Sequence, residues 1–302
     1  PRFEHDSCGF GLIASLDNAP SRELVDAALT ALERMAHRGA VGADGKSGDG
    51  CGLLLQRPEK FLRHVAAECG IRLGPSFAAG NVFLSQEAAF AAEARAVIEA
   101  ECQRVELRVA GWRELPLDTE PCGAQALASM PRMEQVFVMP TVAMDQSSFQ
   151  RALFLARRRS EMRLAQDRDF YVVTLSAHTL GYKAMVLPAG LRVFYRDLQH
   201  PLLAAAFATF HQRFSTNTAP QWRLAQPFRL LAHNGEINTI EGNRHWAEAR
   251  SAKWRTPAID LRELKPLVSL TGSDSMSLDN MLEVLLMGGM DLLQAMRVLI
   301  PP

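Results

Sequence analysis

The sequence has no excess of charge of either sign. Lysine plus arginine number 33 and aspartate plus glutamate number 33, so the formal net charge of the 302 residues is zero. This balance provides no electrostatic attraction to nucleic acid or to an anionic membrane, so neither is expected as a partner. The longest apolar run, near 202–210, is far too short to span a bilayer. A secretory signal is also missing, which predicts a cytoplasmic protein. No internal repeat marks a domain boundary.

Paired cysteine motifs are also lacking. The chain has five cysteines, an odd number, with no C-x-x-C pair and no zinc-like spacing: Cys8, Cys51, Cys69, Cys102 and Cys122. This pattern predicts reduced thiols and no structural metal site. The sequence starts at Pro1 without a methionine and stops at Pro302 directly after a helical pattern. We therefore expect both ends to be cut from a longer protein.

Apolar periodicity mixes helices and strands without a regular βαβ alternation. This mixture favours a layered α+β domain over a doubly wound parallel sheet. A first strand is predicted over 10–16, followed by a helix with Ser21 as its N-cap. Later strands are predicted over 204–214 and 230–233, each leading into a polar motif. The Arg157-Arg158-Arg159 run falls in a helical pattern and is predicted to form a solvated face.

Cys8 directly precedes the first predicted strand, in Asp6-Ser7-Cys8-Gly9-Phe10-Gly11. If Cys8 became the N-terminal residue, it would carry a nucleophilic thiol and a basic α-amine together. The pKa of a thiol is about 8.5 and that of an α-amine about 8, so proton exchange between the two groups is nearly balanced at neutral pH. No histidine base is then needed. The alternative is a small buried cysteine that opens a strand.

A glycine-dense loop runs from Gly42 to Gly52. Its Gly45-Lys46-Ser47 resembles the end of a phosphate-binding loop, but Ala40 stands where the motif needs glycine, and a helix precedes the loop. A nucleotide site is therefore not expected. The segment 48–52 is interpreted as a turn where chain and ligand come close, which requires positive φ or absent Cβ atoms.

Two polar motifs follow the last predicted strands. Arg213, in the motif 211–218, is a candidate clamp for an α-carboxylate, because its planar fork can meet both oxygens. A surface arginine is the alternative. Asn234 and Gly235 are candidates for an oxyanion hole, formed by a side-chain N–H and an unshielded backbone N–H. The alternative there is an ordinary Asn-Gly turn.

Asp274 precedes the next predicted helix, at 277–286. It is a candidate acceptor for an ammonium group, and the alternative is a bond to the first-turn amides of that helix. His211 and His233 are predicted to be structural histidines rather than catalytic bases. A nucleophile, a carboxylate clamp, an oxyanion hole and an ammonium acceptor together are the parts needed to open the side-chain amide of free glutamine.

These motifs carry a family resemblance that extends over both ends of the chain. The matching stretches are 6–14, 37–40 with 48–52, 211–218, 231–239 and 271–280. In them the chain resembles the N-terminal glutamine amidotransferase domain of the large (α) subunit of bacterial glutamate synthase. The resemblance implies the N-terminal-nucleophile hydrolase fold, with two antiparallel sheets between helical layers (αββα). It also implies a leader at 1–7 and a class II amidotransferase domain at 8–302 that is truncated at its C-terminal end.

The resemblance also implies a role for individual residues. Cys8 would be the nucleophile after removal of the leader, and Asn234 with the Gly235 N–H would form the oxyanion hole. Glutamine would be held by Arg213 at its α-carboxylate, with Thr216 nearby, and by Asp274 at its α-ammonium group. Hydrolysis would pass through a glutamyl thioester and release glutamate and ammonia.

The resemblance further implies partners and cofactors outside the present sequence. Ammonia would be channelled to later domains of the same polypeptide and used there for reductive amination of 2-oxoglutarate. FMN and an iron–sulfur cluster are expected in those domains and none in residues 1–302, with electrons supplied by a smaller NADPH-oxidising subunit. Two alternatives remain, namely another N-terminal-nucleophile amidotransferase and an inactive, unprocessed module that only binds glutamine.

Overall fold

The structure is a computed structural model that describes residues 8–213 and 219–300. The predicted leader 1–7 and Thr216 lie outside the described residues. The described chain forms two compact units that divide after Asn234. Within the described ranges, every helix is too short or too polar to traverse a lipid bilayer.

The first unit is built on two antiparallel sheets of four strands each. The strands are β1 (Gly9–Ala14), β2 (Cys51–Gln56), β3 (Ala78–Leu84), β4 (Leu107–Glu114), β5 (Arg132–Pro140), β6 (Tyr171–Val172), β7 (Thr179–Ala184) and β8 (Phe207–Gln212). One sheet has the order β1-β8-β2-β7 and the other has the order β4-β5-β3-β6. Because all pairs are antiparallel, the predicted α+β class is confirmed over a doubly wound parallel sheet.

Helices cover the outer faces of both sheets. The first unit contains α1 (Arg22–Arg34), α2 (Glu59–Glu68), α3 (Ala88–Gln103), α4 (Ala124–Ala128), α5 (Gln146–Arg163) and α6 (Pro188–Phe194). Helices α1 and α6 pack on the first sheet, and α3 and α5 pack on the second. The predicted N-cap is confirmed, since the Ser21 hydroxyl accepts the Leu24 N–H at 3.1 Å.

The two sheets pack on each other through β3 and β7. A buried polar contact marks this interface, where the Asn81 side-chain amide donates to the Gly181 carbonyl at 2.9 Å. The apolar core lies on both sides of it, with fully buried Leu55 in the first sheet and Phe83 and Phe137 in the second. The unit therefore has the αββα layering that the family resemblance implies.

The second unit is helical and contains α7 (Ile240–Ser251), α8 (Asp274–Met287) and α9 (Leu292–Leu299). Arg244 of α7 is buried, and its guanidinium donates to the Ser277 hydroxyl at 3.1 Å and to the Gly272 carbonyl at 2.6 Å. These bonds join α7 to the start of α8.

Two predictions about local structure are wrong. Residues 230–233 form no strand; instead, the Phe228 N–H bonds to the Leu231 carbonyl at 2.9 Å and closes a turn. The Arg157 run is not a solvated face, because the Arg157 side chain is only 1% exposed. It bonds both carboxylate oxygens of Glu161 one helical turn later, at 2.7 and 2.8 Å.

Candidate active site

Cys8 and Arg213 leave the first sheet at the same end. Gly9, the first residue of β1, is the register partner of Gln212, the last residue of β8. Cys8 precedes Gly9 and Arg213 follows Gln212, so the two lie on neighbouring strands, which are spaced about 5 Å apart. Cys8 is partly exposed, whereas Arg213 is 5% exposed. The strand pairing thus brings the predicted nucleophile beside the predicted carboxylate clamp.

The backbone of Arg213 is fixed by a bond to the residue that precedes β2, the other neighbour of β8 in the sheet. Its N–H donates to the Gly50 carbonyl at 3.0 Å, directly before β2. Its guanidinium Nη1 lies 3.5 Å from the Asp49 carbonyl. An arginine held in this way presents a planar donor fork that can bind both oxygens of a carboxylate.

The glycines at the start of β2 allow another segment of the chain to lie close to the sheet. Gly50 has φ +99°, and a Cβ there would come within 2.8 Å of the Ala225 Cβ. A Cβ on Gly52 would come within 2.7 Å of the Gln226 carbonyl oxygen. The predicted positive φ occurs at Gly50 and the need for an absent Cβ holds at Gly52, but Cys51 and Gly52 lie in strand β2 rather than in a turn. The structure shows that the approaching group is the chain's own segment 225–226.

Gln226 binds the backbone of His233, next to the predicted oxyanion-hole residue Asn234. Its Oε1 accepts the His233 N–H at 2.9 Å, and its Nε2 donates to the His233 carbonyl at 3.2 Å. The same carbonyl lies 3.1 Å from Nε2 of His211 on β8. Asn234 itself is exposed.

Gly235 follows with φ 144°, a backbone conformation that side chains disfavour. Asp274 lies in the second unit as the first residue of α8. Its Oδ2 accepts the N–H of Ile237, two residues after Gly235, at 2.8 Å. The N-cap role belongs instead to Ser273, whose hydroxyl accepts the Met276 N–H at 3.1 Å. The other oxygen of Asp274, Oδ1, accepts the N–H and the hydroxyl of Ser275 at 2.5 and 3.0 Å, so the alternative bond to a first-turn amide of α8 is present as well.

The polar side chains in the rest of the glycine loop form hydrogen bonds and an ion pair with other protein groups. Asp44 accepts the Ser47 N–H at 2.7 Å and the Ser47 hydroxyl at 2.6 Å, which lowers the pKa of the Asp44 carboxyl well below its usual range. Lys46 pairs with Glu120 at 2.8 Å. The lysine and the hydroxyl that resemble those of a phosphate-binding loop are thus bound to protein groups.

Burial makes three of the other four cysteines poor nucleophiles. Burial raises the pKa of the Cys51 thiol well above its usual range, and that of Cys102 to about 12. Cys122 is buried as well, and its pKa is raised to about 11. Cys69 is exposed on the surface. No disulfide joins the five cysteines, and in the described part of the chain no three His, Cys, Asp or Glu side chains are grouped so as to hold a metal ion.

Sequence reasoning correctly placed Arg213 at the end of a strand, but it missed Gln226. The glutamine lies in an unremarkable Ala225-Gln226-Pro227-Phe228 segment, and its contacts with His233 are visible only in three dimensions. The one available signal was its position eight residues before the Asn-Gly motif at Asn234, too common a spacing to select it.

The chain matches known proteins along its length. The family described as class II glutamine amidotransferases matches residues 8–302. The glutamate synthase [NADPH] large chain of Azospirillum brasilense is 40% identical over 307 residues, covering 100% of this chain and 20% of that protein. The ferredoxin-dependent glutamate synthase 2 of Synechocystis is 41% identical over 307 residues, covering 99% and 19%.

A further relative is the glutamate synthase [NADPH] large chain of Bacillus subtilis, which is 37% identical over 305 residues, covering 100% of this chain and 20% of that protein. The chain thus spans about a fifth of the length of these curated relatives.

Proposed function

Because the chain belongs to the class II glutamine amidotransferases, we propose that it hydrolyses the side-chain amide of glutamine with Cys8 as the nucleophile. The observation that carries this assignment is the pairing of β1 with β8, which puts Cys8 beside the buried Arg213. A free amino acid clamped by its α-carboxylate at Arg213 can extend its side chain toward a sulfur on the neighbouring strand.

The proposed reaction begins after residues 1–7 are removed. The Cys8 thiol attacks the δ-carbonyl carbon of glutamine, and the α-amine of Cys8 accepts the thiol proton. The Asn234 side-chain amide and the Gly235 N–H stabilise the resulting oxyanion. The C–N bond of the glutamine amide then breaks. The protonated α-amine of Cys8 returns its proton to the leaving nitrogen, and ammonia departs. Water, activated by the same amine, hydrolyses the thioester to glutamate and regenerates Cys8.

The remaining predicted residues hold the substrate. Arg213 binds the α-carboxylate and Asp274 accepts a bond from the α-ammonium group, with Thr216, outside the described residues, close to the bound glutamine. Substrate recognition then depends on two groups of opposite charge, which select a free α-amino acid over a glutamine inside a peptide.

In the complete polypeptide, the ammonia serves the reductive amination of 2-oxoglutarate. The names of the relatives support this proposal, since those from Azospirillum and Bacillus are glutamate synthase [NADPH] large chains. On this proposal, later domains hold FMN and an iron–sulfur cluster, and a smaller subunit oxidises NADPH. The contribution of residues 8–302 is to bind glutamine and to release its amide nitrogen.

The nucleophile can be identified by labelling with a diazoketone analogue of glutamine. The protein starting at Cys8 is expected to hydrolyse glutamine and to carry the label on the Cys8 peptide. Cys8→Ala should abolish both the label and the hydrolysis while preserving the circular dichroism spectrum. Cys69→Ala, which removes an exposed thiol, is the matched control and should keep full activity. Hydrolysis by Cys8→Ala, or label on another cysteine, would contradict the assignment.

A further inference from the structure

The backbone of His233 is held at both of its polar groups by one side chain. The Gln226 amide accepts its N–H at 2.9 Å and donates to its carbonyl at 3.2 Å. The N–H and the carbonyl of His233 belong to the peptide groups on either side of its Cα, so the two bonds from one planar amide orient both groups, much as a neighbouring strand would. The peptide that carries the His233 carbonyl also carries the N–H of Asn234. The Gln226 amide therefore acts directly on the peptide group of Asn234, the residue assigned to the oxyanion hole.

A second donor reaches the same carbonyl from the first sheet. Nε2 of His211 lies 3.1 Å from the His233 oxygen, and His211 is fully buried. Since a carbonyl oxygen only accepts, the ring proton lies on Nε2. Nδ1 is also buried, and no hydrogen-bond partner for it exists among residues 8–213 and 219–300. The contact with His233 is therefore the hydrogen bond that this ring makes.

The protonation state of His211 suits this role. Burial, together with the nearby charge of Arg213 and the neighbouring His233 and Lys183, lowers the pKa of His211 to about 3. The ring is then neutral at any pH where an α-amine could act as a base. A neutral ring is a fixed donor, and it adds no positive charge beside the site.

The first sheet leaves room for the segment that contains Gln226. Gly52 of β2 is the register partner of His211, and a Cβ on Gly52 would come within 2.7 Å of the Gln226 carbonyl oxygen. Gln226 is itself 5% exposed, so its amide is held in place by packing. An oxyanion donor contributes to catalysis only if it is fixed before the charge develops.

We propose that Gln226 and His211 are positioning residues of the amidotransferase site, which fix the His233 peptide and thereby aim the Asn234 donor at the oxyanion. This inference rests on the function proposed above. Neither side chain touches glutamine; both act through Asn234. Their loss therefore raises the barrier to the chemical step and leaves glutamine affinity almost unchanged.

The test uses the protein starting at Cys8 and measures kcat and KM for glutamine hydrolysis. Gln226→Leu removes both bonds to His233 and is expected to lower kcat about 30–100-fold, since a misplacement of about 1 Å costs roughly 100-fold. KM should stay within about twofold. His211→Phe removes one of two donors to the carbonyl and should lower kcat about 3–10-fold. Because it also removes the unpartnered Nδ1, it should leave the protein folded even where Gln226→Leu does not.

The matched control is Gln135→Leu in the second sheet. Gln135 is fully buried, and its amide donates to the Asn81 side chain at 3.0 Å, so its replacement removes a comparable buried bond. This variant should be less stable with an unchanged kcat. Hydrogen exchange provides a readout independent of catalysis: the His233 amide should exchange faster in Gln226→Leu than in the parent or in Gln135→Leu.

The outcomes separate the two proposals. If the parent hydrolyses glutamine and folded Gln226→Leu and His211→Phe keep its kcat, the positioning role is wrong while the proposed function stands. An equal loss of kcat in Gln135→Leu would also overturn it, by showing that general destabilisation is responsible. If the parent starting at Cys8 does not hydrolyse glutamine at all, the proposed function fails, and this inference fails with it.

Discussion

At the scale of single residues, the position of Arg213 shows how backbone pairing can prepare a binding group. Its N–H is bonded to Gly50 across the sheet and its side chain is 5% exposed. The guanidinium therefore stays in one place before the substrate arrives, which reduces the entropy lost on binding. A lysine at this position keeps the charge but loses the planar fork.

Arg213→Lys is accordingly expected to raise KM for glutamine about 10–100-fold, the equivalent of about 1.5–3 kcal/mol for a hydrogen bond to a charged group. The change in kcat should be small, because the α-carboxylate is bound equally in the ground state and the transition state. Steady-state kinetics measure both parameters. Arg196→Lys, at an exposed arginine 3.5 Å from Asp118, is the control. An unchanged KM in Arg213→Lys would argue against the clamp.

At the scale of secondary-structure elements, helix α5 is joined to the core by an ionic cluster. Glu161 accepts bonds from Arg157 at 2.7 Å, from Arg158 at 3.0 Å and from Arg229 at 2.7 Å. Burial alone would raise the pKa of Glu161, but the charges of these guanidinium groups lower it to about 2. The cluster ties α5 to the segment that leads toward the candidate site.

Glu161→Gln should therefore destabilise the protein by about 3 kcal/mol at pH 7, as for removal of one member of a buried ion pair. Because the pKa of Glu161 is lower in the folded chain, its stabilisation is complete above about pH 4.5 and is lost as the pH falls toward about 2. Urea unfolding at pH 7, 5 and 3 should show the two proteins converging in acid.

The control for this prediction is Glu120→Gln, at a side chain that is 71% exposed and paired with Lys46. Exposed pairs of this kind contribute little, so its free energy of unfolding should differ from the parent by less than about 1 kcal/mol at each pH. A constant difference between Glu161→Gln and the parent from pH 7 to pH 3 would contradict the role given to Glu161.

Elements specified by local signals were predicted well from the sequence. The N-cap at Ser21 and the strand that leads into Arg213 depend on neighbouring residues, and β8, at Phe207–Gln212, differs from the predicted 204–214 only in its bounds. The segment 230–233 has a similar apolar pattern but forms no strand, and the backbone N–H and carbonyl of His233 bond to the side chains of Gln226 and His211 instead. No local sequence pattern identifies those side chains as partners.

The same reason explains the error at the Arg157 run. Three consecutive arginines are typical of a solvated surface, yet Arg157 is buried against Glu161, which also binds Arg229 from 68 positions away in the sequence. The candidate roles of Cys8, Arg213, Asn234 and Asp274 were proposed from residue chemistry and assigned through the family resemblance. Their supporting residues were not, since a buried glutamine in a support role has no distinctive sequence signal.

At the scale of the whole molecule, the amidotransferase should be separable from the later chemistry. On the function proposed above, the complete polypeptide together with a smaller subunit should oxidise NADPH only with 2-oxoglutarate and either glutamine or added ammonia. Cys8→Ala should abolish the glutamine-dependent rate and leave the ammonia-dependent rate, because ammonia bypasses the thioester. NADPH absorbance measures both rates, and reduced ferredoxin in place of NADPH tests the donor.

Loss of both rates in Cys8→Ala would contradict this separation, and faster turnover with ferredoxin than with NADPH would contradict the donor. Cys69→Ala in the complete polypeptide is again the control, and it should keep both rates.

The pairing of Gly9 with Gln212 has a practical consequence for anyone who makes the protein. Gly9 is paired with Gln212 in the sheet, so the position of Cys8, the residue before it, is restricted by that pairing. On the proposed mechanism, a single leftover residue from an affinity tag would convert the α-amine of Cys8 into a peptide nitrogen and move the new amine about 3.5 Å further along the chain. Such a preparation would look correctly folded by every spectroscopic measure and yet be inert, so each activity measurement needs an intact mass beside it.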